Sequence, residues 1–284
     1  MPHRGADWLR TAALIALALV GACGQPGKAP SEAAAAPRTE IGLLTSLPLF
    51  WPEAEDPADL LSAESAVPWP RAVVEQRHTL VPLDTLEGPK GLSRVRAAVL
   101  AQPRPLSPGE NVTLDAWVRA GGHVLVFADP ALTAESRFAL GDRRRPMDTA
   151  FLSPILTRWG LVLTMDEAAQ SEARVVNDRM AGELPLHLSG TLGLVSQPGV
   201  AAGVCRIESA GVVARCRIGR GSATVIADAA LFDEADETRE TALMRLIDSL
   251  AVDAAGTARE STGGGPQEAG NDRQSGPPKH DEGV

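Results

Sequence analysis

Two aspartates occupy the same place in two similar segments, Gly122-His-Val-Leu-Val-Phe-Ala-Asp129-Pro-Ala-Leu132 and Ser222-Ala-Thr-Val-Ile-Ala-Asp228-Ala-Ala-Leu231. Each is an apolar run ending in Ala-Asp-x-Ala-Leu. If both runs are strands of one open α/β sheet, Asp129 and Asp228 lie at strand carboxyl ends, where such sheets take their ligands. The two carboxylates would then flank one crevice and hold a small ligand or a cation. Aspartate in this position also caps the turn that follows it, accepting backbone N–H groups. Both roles stay open at this level.

The cysteines offer a second chemistry. Cys23 ends Val20-Gly21-Ala22-Cys23, preceded by basic residues (Arg4, Arg10) and an apolar run over residues 11–20. These are the n-region, h-region and small-residue site of an export signal, and the ending has the form of a bacterial lipobox, in which Cys23 becomes the lipidated first residue. An ordinary signal peptide with a chance cysteine, or an uncleaved anchor, is the alternative; the apolar run is short beside the ~20 residues of a membrane span. Cys205 and Cys216 remain as an even pair in an exported chain, where oxidation is favoured. Val204–Glu208 and Val212–Ile218 alternate apolar and charged residues around a Ser-Ala-Gly turn, which reads as a β-hairpin. Centring the turn on Ala210-Gly211 sets Cys205 opposite Cys216, close enough for a disulfide; two buried thiols are the other reading. Arg206, Glu208, Arg215 and Arg217 then fall on the opposite face, which can meet water.

No other residue set names a reaction. The chain has no H-E-x-x-H, no G-x-S-x-G, no Walker A loop and no G-x-G-x-x-G after a strand. Gly219-Arg220-Gly221 reads as a hairpin turn. Its five histidines (3, 78, 123, 187 and 280) are scattered, with His123 starting a strand and His187 reading as a solvent-facing strand residue. The cluster Asp233-Glu234-Ala-Asp236-Glu237 suits a helix N-terminus and, less simply, a weak cation site. A net charge of -9 argues against a nucleic-acid partner, and Arg143-Arg144-Arg145 reads as a solvated turn. No metal or cofactor is expected.

The elements that must position these residues alternate. Strands are predicted at Ile41–Leu47, Thr79–Leu83, Arg96–Ala101, His123–Ala128, Leu161–Thr164, Leu186–Ser196 and Ala223–Ala227, with the hairpin between. Helices are predicted over 69–77, from Ser107 to Gly121-Gly122, and from Glu237 to Ala251. Ser107 as N-cap, Pro108 at the first turn and Glu110 three residues on form a capping box. Val112, Leu114, Trp117 and Val118 are the expected core face. This alternation predicts an α/β fold, a mainly parallel sheet with helices on both faces. The predicted organisation is a lipoprotein signal over 1–22, a small-residue tether over 23–39, one domain over 40–252, and a polar tail over 253–284 too poor in apolar residues to order itself.

Two stretches resemble a known family. Ala-Val-Leu-Ala-Gln-Pro-Arg-Pro-Leu-Ser-Pro followed by Leu114-Asp-Ala-Trp-Val-Arg-Ala-Gly-Gly-His-Val-Leu-Val-Phe-Ala-Asp-Pro130, and Ile218-Gly-Arg-Gly-Ser-Ala-Thr-Val-Ile-Ala-Asp-Ala-Ala-Leu-Phe232, are similar to the domain of bacterial ABC-type uncharacterised transport system proteins of the gliding-motility auxiliary type. The resemblance spans most of residues 41–251 and implies a fold like class I glutamine amidotransferases. Those enzymes place a cysteine nucleophile at a strand-to-helix elbow. Here the strand from His123 runs into Asp129-Pro130, with neither cysteine near.

The expected function is therefore non-enzymatic: a lipoprotein on the periplasmic side of the envelope, anchored to the inner or outer membrane through Cys23. It would act as an accessory or scaffold subunit beside an ABC permease and ATPase. The alternative is a ligand-binding or sensing lipoprotein that uses the crevice at Asp129 and Asp228, and a third is an aspartate-dependent hydrolase. The polar C-terminal end differs from the gliding-type components, which carry a C-terminal membrane helix.

Overall fold

The parallel sheet rests on short, nearly all-apolar runs. The computed structural model describes residues 38–56, 58, 66–165, 173–195 and 203–263. Cys23, the signal, the tether up to residue 37, and residues 264–284 lie outside them. β1 (Glu40–Thr45), β2 (Thr79–Pro82), β3 (Ala97–Ala101) and β4 (His123–Phe127) run parallel with β11 (Gly221–Ile226). The sheet order is β2-β1-β3-β4-β11-β10-β9, with β9 (Val204–Glu208) and β10 (Val213–Ile218) added antiparallel at one edge. β3 and β4 are buried at every position, as strands covered on both faces must be. The fold is thus mixed α/β with a mainly parallel central sheet.

α1 (Trp69–Val74) and α4 (Glu237–Gly263) pack together on the face that carries Leu43 and Val99. α2 (Pro108–Arg119) and α3 (Ser153–Trp159) lie on the other face, where Cys205 Sγ meets the Trp159 carbonyl. Two small antiparallel pairs complete the described fold: β5 (Leu161–Thr164) with β8 (Thr191–Leu194), and β6 (Arg174–Asp178) with β7 (Gly182–Leu186). The predicted strand Leu186–Ser196 is thus two strands. Its chain breaks at His187–Gly190, where Leu188 takes φ +56° and the His187 N–H is drawn to Asp228.

α2 starts as its capping box dictates: Glu110 N–H donates to Ser107 Oγ (3.0 Å) and Ser107 N–H to Glu110 Oε2 (2.9 Å). Its core face differs from expectation. Leu114 and Val118 are fully buried, but Val112 is 70% exposed, because two residues from Leu114 is more than half a turn away. Glu110 and Asp115 are buried in its place. The Arg104 guanidinium and, secondarily, the N–H groups of Ser107 and Leu86 outweigh burial and hold Glu110 down at about 2. Asp115 is pushed up by burial, but Arg119 and Arg158 override this and leave it below its ordinary range. α4 continues past Ala251 into the stretch expected to be unstructured: Ala254 is buried and Thr257 Oγ1 reaches His123.

The hairpin register is the predicted one. Cys205 pairs with Cys216 across β9 and β10, and the two form a disulfide. The turn holds Ser209, Ala210 and Gly211 all at positive φ. The next turn, at Gly219 (φ +60°), joins β10 to β11, and Gly221 passes so close to the Gly122 carbonyl that a Cβ would lie 2.0 Å from it. Closing a loop of separation 11 stabilises chiefly by restricting the unfolded chain. A Cys205→Ser/Cys216→Ser variant is expected to lose about 2–3 kcal/mol in urea denaturation, and reductant should then change its midpoint no further.

Candidate functional site

Both aspartates are where the sequence put them, at the carboxyl ends of adjacent strands. Asp129 follows β4 and Asp228 follows β11, and both are buried, at 0% and 2% exposure. Their oxygens are occupied by backbone. Asp129 Oδ1 accepts from Ala131 N–H (2.8 Å) and Oδ2 from Ala229 N–H (3.0 Å). Asp228 Oδ1 accepts from Ala230 N–H (2.6 Å) and Oδ2 from His187 N–H (2.8 Å). Each carboxylate thus closes its own turn and ties in a second segment. Asp129 binds the β11 exit to the β4 exit, and Asp228 binds the β7 exit to β11.

Gln102, which ends β3, completes this layer. It is fully buried at φ +44°, an uncommon conformation for a residue with a Cβ. Its Nε2 donates to the carbonyls of Asp129 (3.0 Å) and Met147 (2.8 Å), and its Oε1 accepts the Asp129 N–H (2.9 Å). Ser46, after β1, donates its hydroxyl to the Gln102 carbonyl (2.6 Å) and accepts the Met147 N–H (3.0 Å). One polar layer therefore stitches the carboxyl ends of β1, β3, β4 and β11. Sequence reasoning missed Gln102 and Ser46; the visible signal was a Gln-Pro step ending an apolar run.

Burial dominates the electrostatics of this layer. It pushes Asp228 up to about 8, with the neighbouring Asp129 charge adding to the rise and the Ala230 and His187 N–H groups opposing it. Burial likewise pushes Asp129 up to about 6 against its two N–H bonds. Asp233 is raised by burial as well. A carboxyl that keeps its proton near neutral pH is poised as a general acid or base. Asp129 and Asp228 lack the second requirement, access to a reacting atom.

Beside this layer an open cleft of about 450 Å³ lies between the loops after β1, β4 and β11 and the start of α1. Leu47, Trp69 and Phe232 give it an apolar lining; Glu135, Asp233 and Glu234 make it acidic. Trp69 Nε1 is held by the Asp233 carbonyl (2.9 Å). Thr133 Oγ1, also on its wall, is buried with no hydrogen-bond partner among the described residues, an unmet polar group that a bound ligand could satisfy. The aspartates do not line this cleft.

The other singled-out residues have structural partners. His123 is buried between Ser222 Oγ (2.8 Å) and Thr257 Oγ1 (2.7 Å), and burial holds its imidazole below the ordinary value. His187 is partly buried in the bend after β7, not in a strand facing solvent. His78 meets Asp248 (2.8 Å). Asp236 accepts the Arg239 N–H (2.8 Å) at the start of α4, the helix-terminal role. Arg144 and Arg145 pair with Asp142 and Asp148 in the loop after β4. Among the described residues no group of three or more His, Cys, Asp or Glu is placed to hold a metal ion, and no helix is long and apolar enough to cross a membrane.

No family model and no curated protein matches this chain. Solved structures resemble it distantly. An exo-β-1,4-mannosidase from Opitutaceae bacterium strain TAV5 aligns at 13% identity and TM-score 0.41, over 79% of this chain and 35% of that one. The N-terminal domain of mmIFT52 aligns at 15% and 0.45, over 75% and 97%. The cytoplasmic protein STM1381 of Salmonella typhimurium LT2 aligns at 10% and 0.43, over 75% and 99%. The chain thus spans about a third of the mannosidase, and likenesses this remote carry no inference about activity or partners.

Proposed function

We propose that this chain is an envelope lipoprotein, anchored through Cys23, whose amidotransferase-like domain serves as a non-enzymatic accessory or scaffold subunit of an ABC-type transport or envelope assembly. The observation that carries the reading is the use made of the strand ends. Gln102, Asp129 and Asp228 occupy the positions where an α/β enzyme displays its reactive groups, and each is buried with its side chain bonded to backbone. These groups hold the loops at the strand ends in place, and the loop after β4 presents exposed residues such as Glu135, Arg137 and Arg143 to a partner. The export signal and lipobox support the location, and the Gln-Pro and Trp-Val-Arg-Ala-Gly-Gly stretches support the family.

The test is to purify the tagged protein from gently solubilised native membranes. Recovery of an ABC permease and ATPase well above a Cys23→Ala control is the expected result. Recovery of the lipoprotein alone overturns a stable complex.

A second reading, a small-ligand sensor, is favoured by the cleft and by Thr133 Oγ1, which gives a ligand one fixed polar contact. The ligand would bind in the cleft above the aspartates and not on the aspartates themselves. A ligand at 100 times its Kd raises stability by about 2.7 kcal/mol, so a thermal-shift screen separates the two readings.

A further inference from the structure

On its second face, the β9–β10 hairpin gathers positive charge within an acidic chain. The register sets Arg206 opposite Arg215, with Arg217 two residues along β10 on the same face. Like charges directly across a strand pair destabilise it, so this arrangement has to be answered locally. Arg215 is answered: its side chain is nearly buried, with Asp178 at 2.7 Å and Glu208 as a second partner. Arg179, from the turn after β6, shares Glu208 at 2.9 Å. Arg206 and Arg217 are exposed and have no ion-pair partner among the described residues.

These residues line a trough of about 570 Å³ floored by β9, β10 and the start of β11, with Met180 on one side and Asp253 of α4 on the other. That volume is in the range of small-ligand sites. The hydroxyl-bearing residues Ser222 and Thr224 belong to the same floor. Burial holds the His123 imidazole below its ordinary value; across the trough Asp253 pulls it up and Arg217 pushes it down. Two unanswered guanidiniums on one wall match two negative charges on one ligand. Guanidinium forks pair bidentately with oxyanions. A carboxylate supplies one charge; a phosphate group supplies up to two and enough oxygens for both forks.

We propose that this trough is a phosphate-binding site, with Arg206 and Arg217 as its primary ligands and Arg179 at its rim. The site lies on the helix α4 side of the sheet edge, apart from the cleft at the strand carboxyl ends, and is independent of the scaffold reading.

The test titrates the full-length protein with inorganic phosphate by calorimetry and, separately, measures co-sedimentation with phosphatidylglycerol vesicles. Phosphatidylcholine vesicles control for insertion of the N-terminal segment. Saturable binding of either probe is expected, weakened about tenfold or more in Arg206→Gln/Arg217→Gln and unchanged in Arg137→Gln/Arg143→Gln, which removes the same two charges from exposed positions in the loop after β4. Binding of soluble phosphate assigns the site to a free phosphate-bearing ligand; binding only of phosphatidylglycerol assigns it to a lipid headgroup. Binding of neither probe overturns the site. So does affinity that survives in Arg206→Gln/Arg217→Gln, or a loss matched by Arg137→Gln/Arg143→Gln. Because both arginines are exposed and Arg206 faces the like charge of Arg215, the urea midpoint of Arg206→Gln/Arg217→Gln should not fall below the parent's, and the single variants should lose an intermediate amount of affinity.

Discussion

Asp178→Ala is expected to lower the unfolding free energy by about 3–5 kcal/mol. Asp178 closes β6, and its side chain is 1% exposed. It accepts from Arg215 Nη2 at 2.7 and 2.9 Å, from Ser209 Oγ at 2.8 Å, and from the Met180 and Ala181 N–H groups at 2.9 Å each. Burial alone would raise this carboxyl. The Arg215, Ala181, Ser209 and Met180 donors overcome it and hold the group below its ordinary value. Truncation leaves a nearly buried guanidinium short of a partner, strands two backbone N–H groups, and releases Ser209 in a turn already held at positive φ. The loss is thus mainly the cost of uncompensated buried charge. Asp178→Leu/Arg215→Met, which removes both charges together, should recover a large part of it. The check is urea denaturation at neutral pH with the slope held constant. A loss under about 1 kcal/mol, the level of an exposed ion pair, would show that the pair is solvated.

That hub was invisible in the sequence, and the reason is physical. Asp178 and Arg215 are 37 residues apart, and β6 has a mostly exposed pattern with no clean alternation, so neither periodicity nor local spacing announced a strand there. What could be read was local or two-fold periodic: the capping box of α2, the apolar runs of β3 and β4, and the cysteine register. Alternation also put Arg206, Arg215 and Arg217 on one face. It could not tell that Arg215 would be buried while its two companions stayed exposed, because burial depends on what the β6–β7 pair lays over it. At the strand ends, the Ala-Asp-x-Ala-Leu repeat located both aspartates, and turn capping turned out to be what their oxygens do. Gln102 escaped because a glutamine before proline reads as loop. Its positive φ and its three side-chain bonds exist only once β3 and β4 are adjacent.

The same burial that shields the strand-end aspartates from solvent gives the domain an unusual pH response, and Asp228→Asn isolates it. Asp228 titrates at about 8 in the folded protein, raised by burial and then by Asp129, with Asp233 adding to the rise. Unfolded, it should titrate near the ordinary ~3.9. Between these values the folded state keeps a proton that the unfolded state has released. Stability therefore falls as pH rises, by up to about 1.4 kcal/mol per unit. The contribution is complete below about pH 4 and gone above about pH 8. Asp129, at about 6, adds a decline of the same sign that ends two units earlier, so the window from 6 to 8 belongs to Asp228. Carboxylates held low by arginine, such as Asp178 and Glu110, act in the opposite sense and only in acid. His123, held low by burial, contributes stability that is lost as pH falls below its ordinary ~6.5. The informative quantity is therefore the difference between parent and variant. An asparagine amide cannot accept both the Ala230 and His187 N–H groups, so the variant should be the less stable protein in acid. It should gain on the parent steadily as pH rises from 6 to 8. Denaturation curves at half-unit intervals measure this directly, and parallel curves through that window would mean that Asp228 is already ionised in the folded protein.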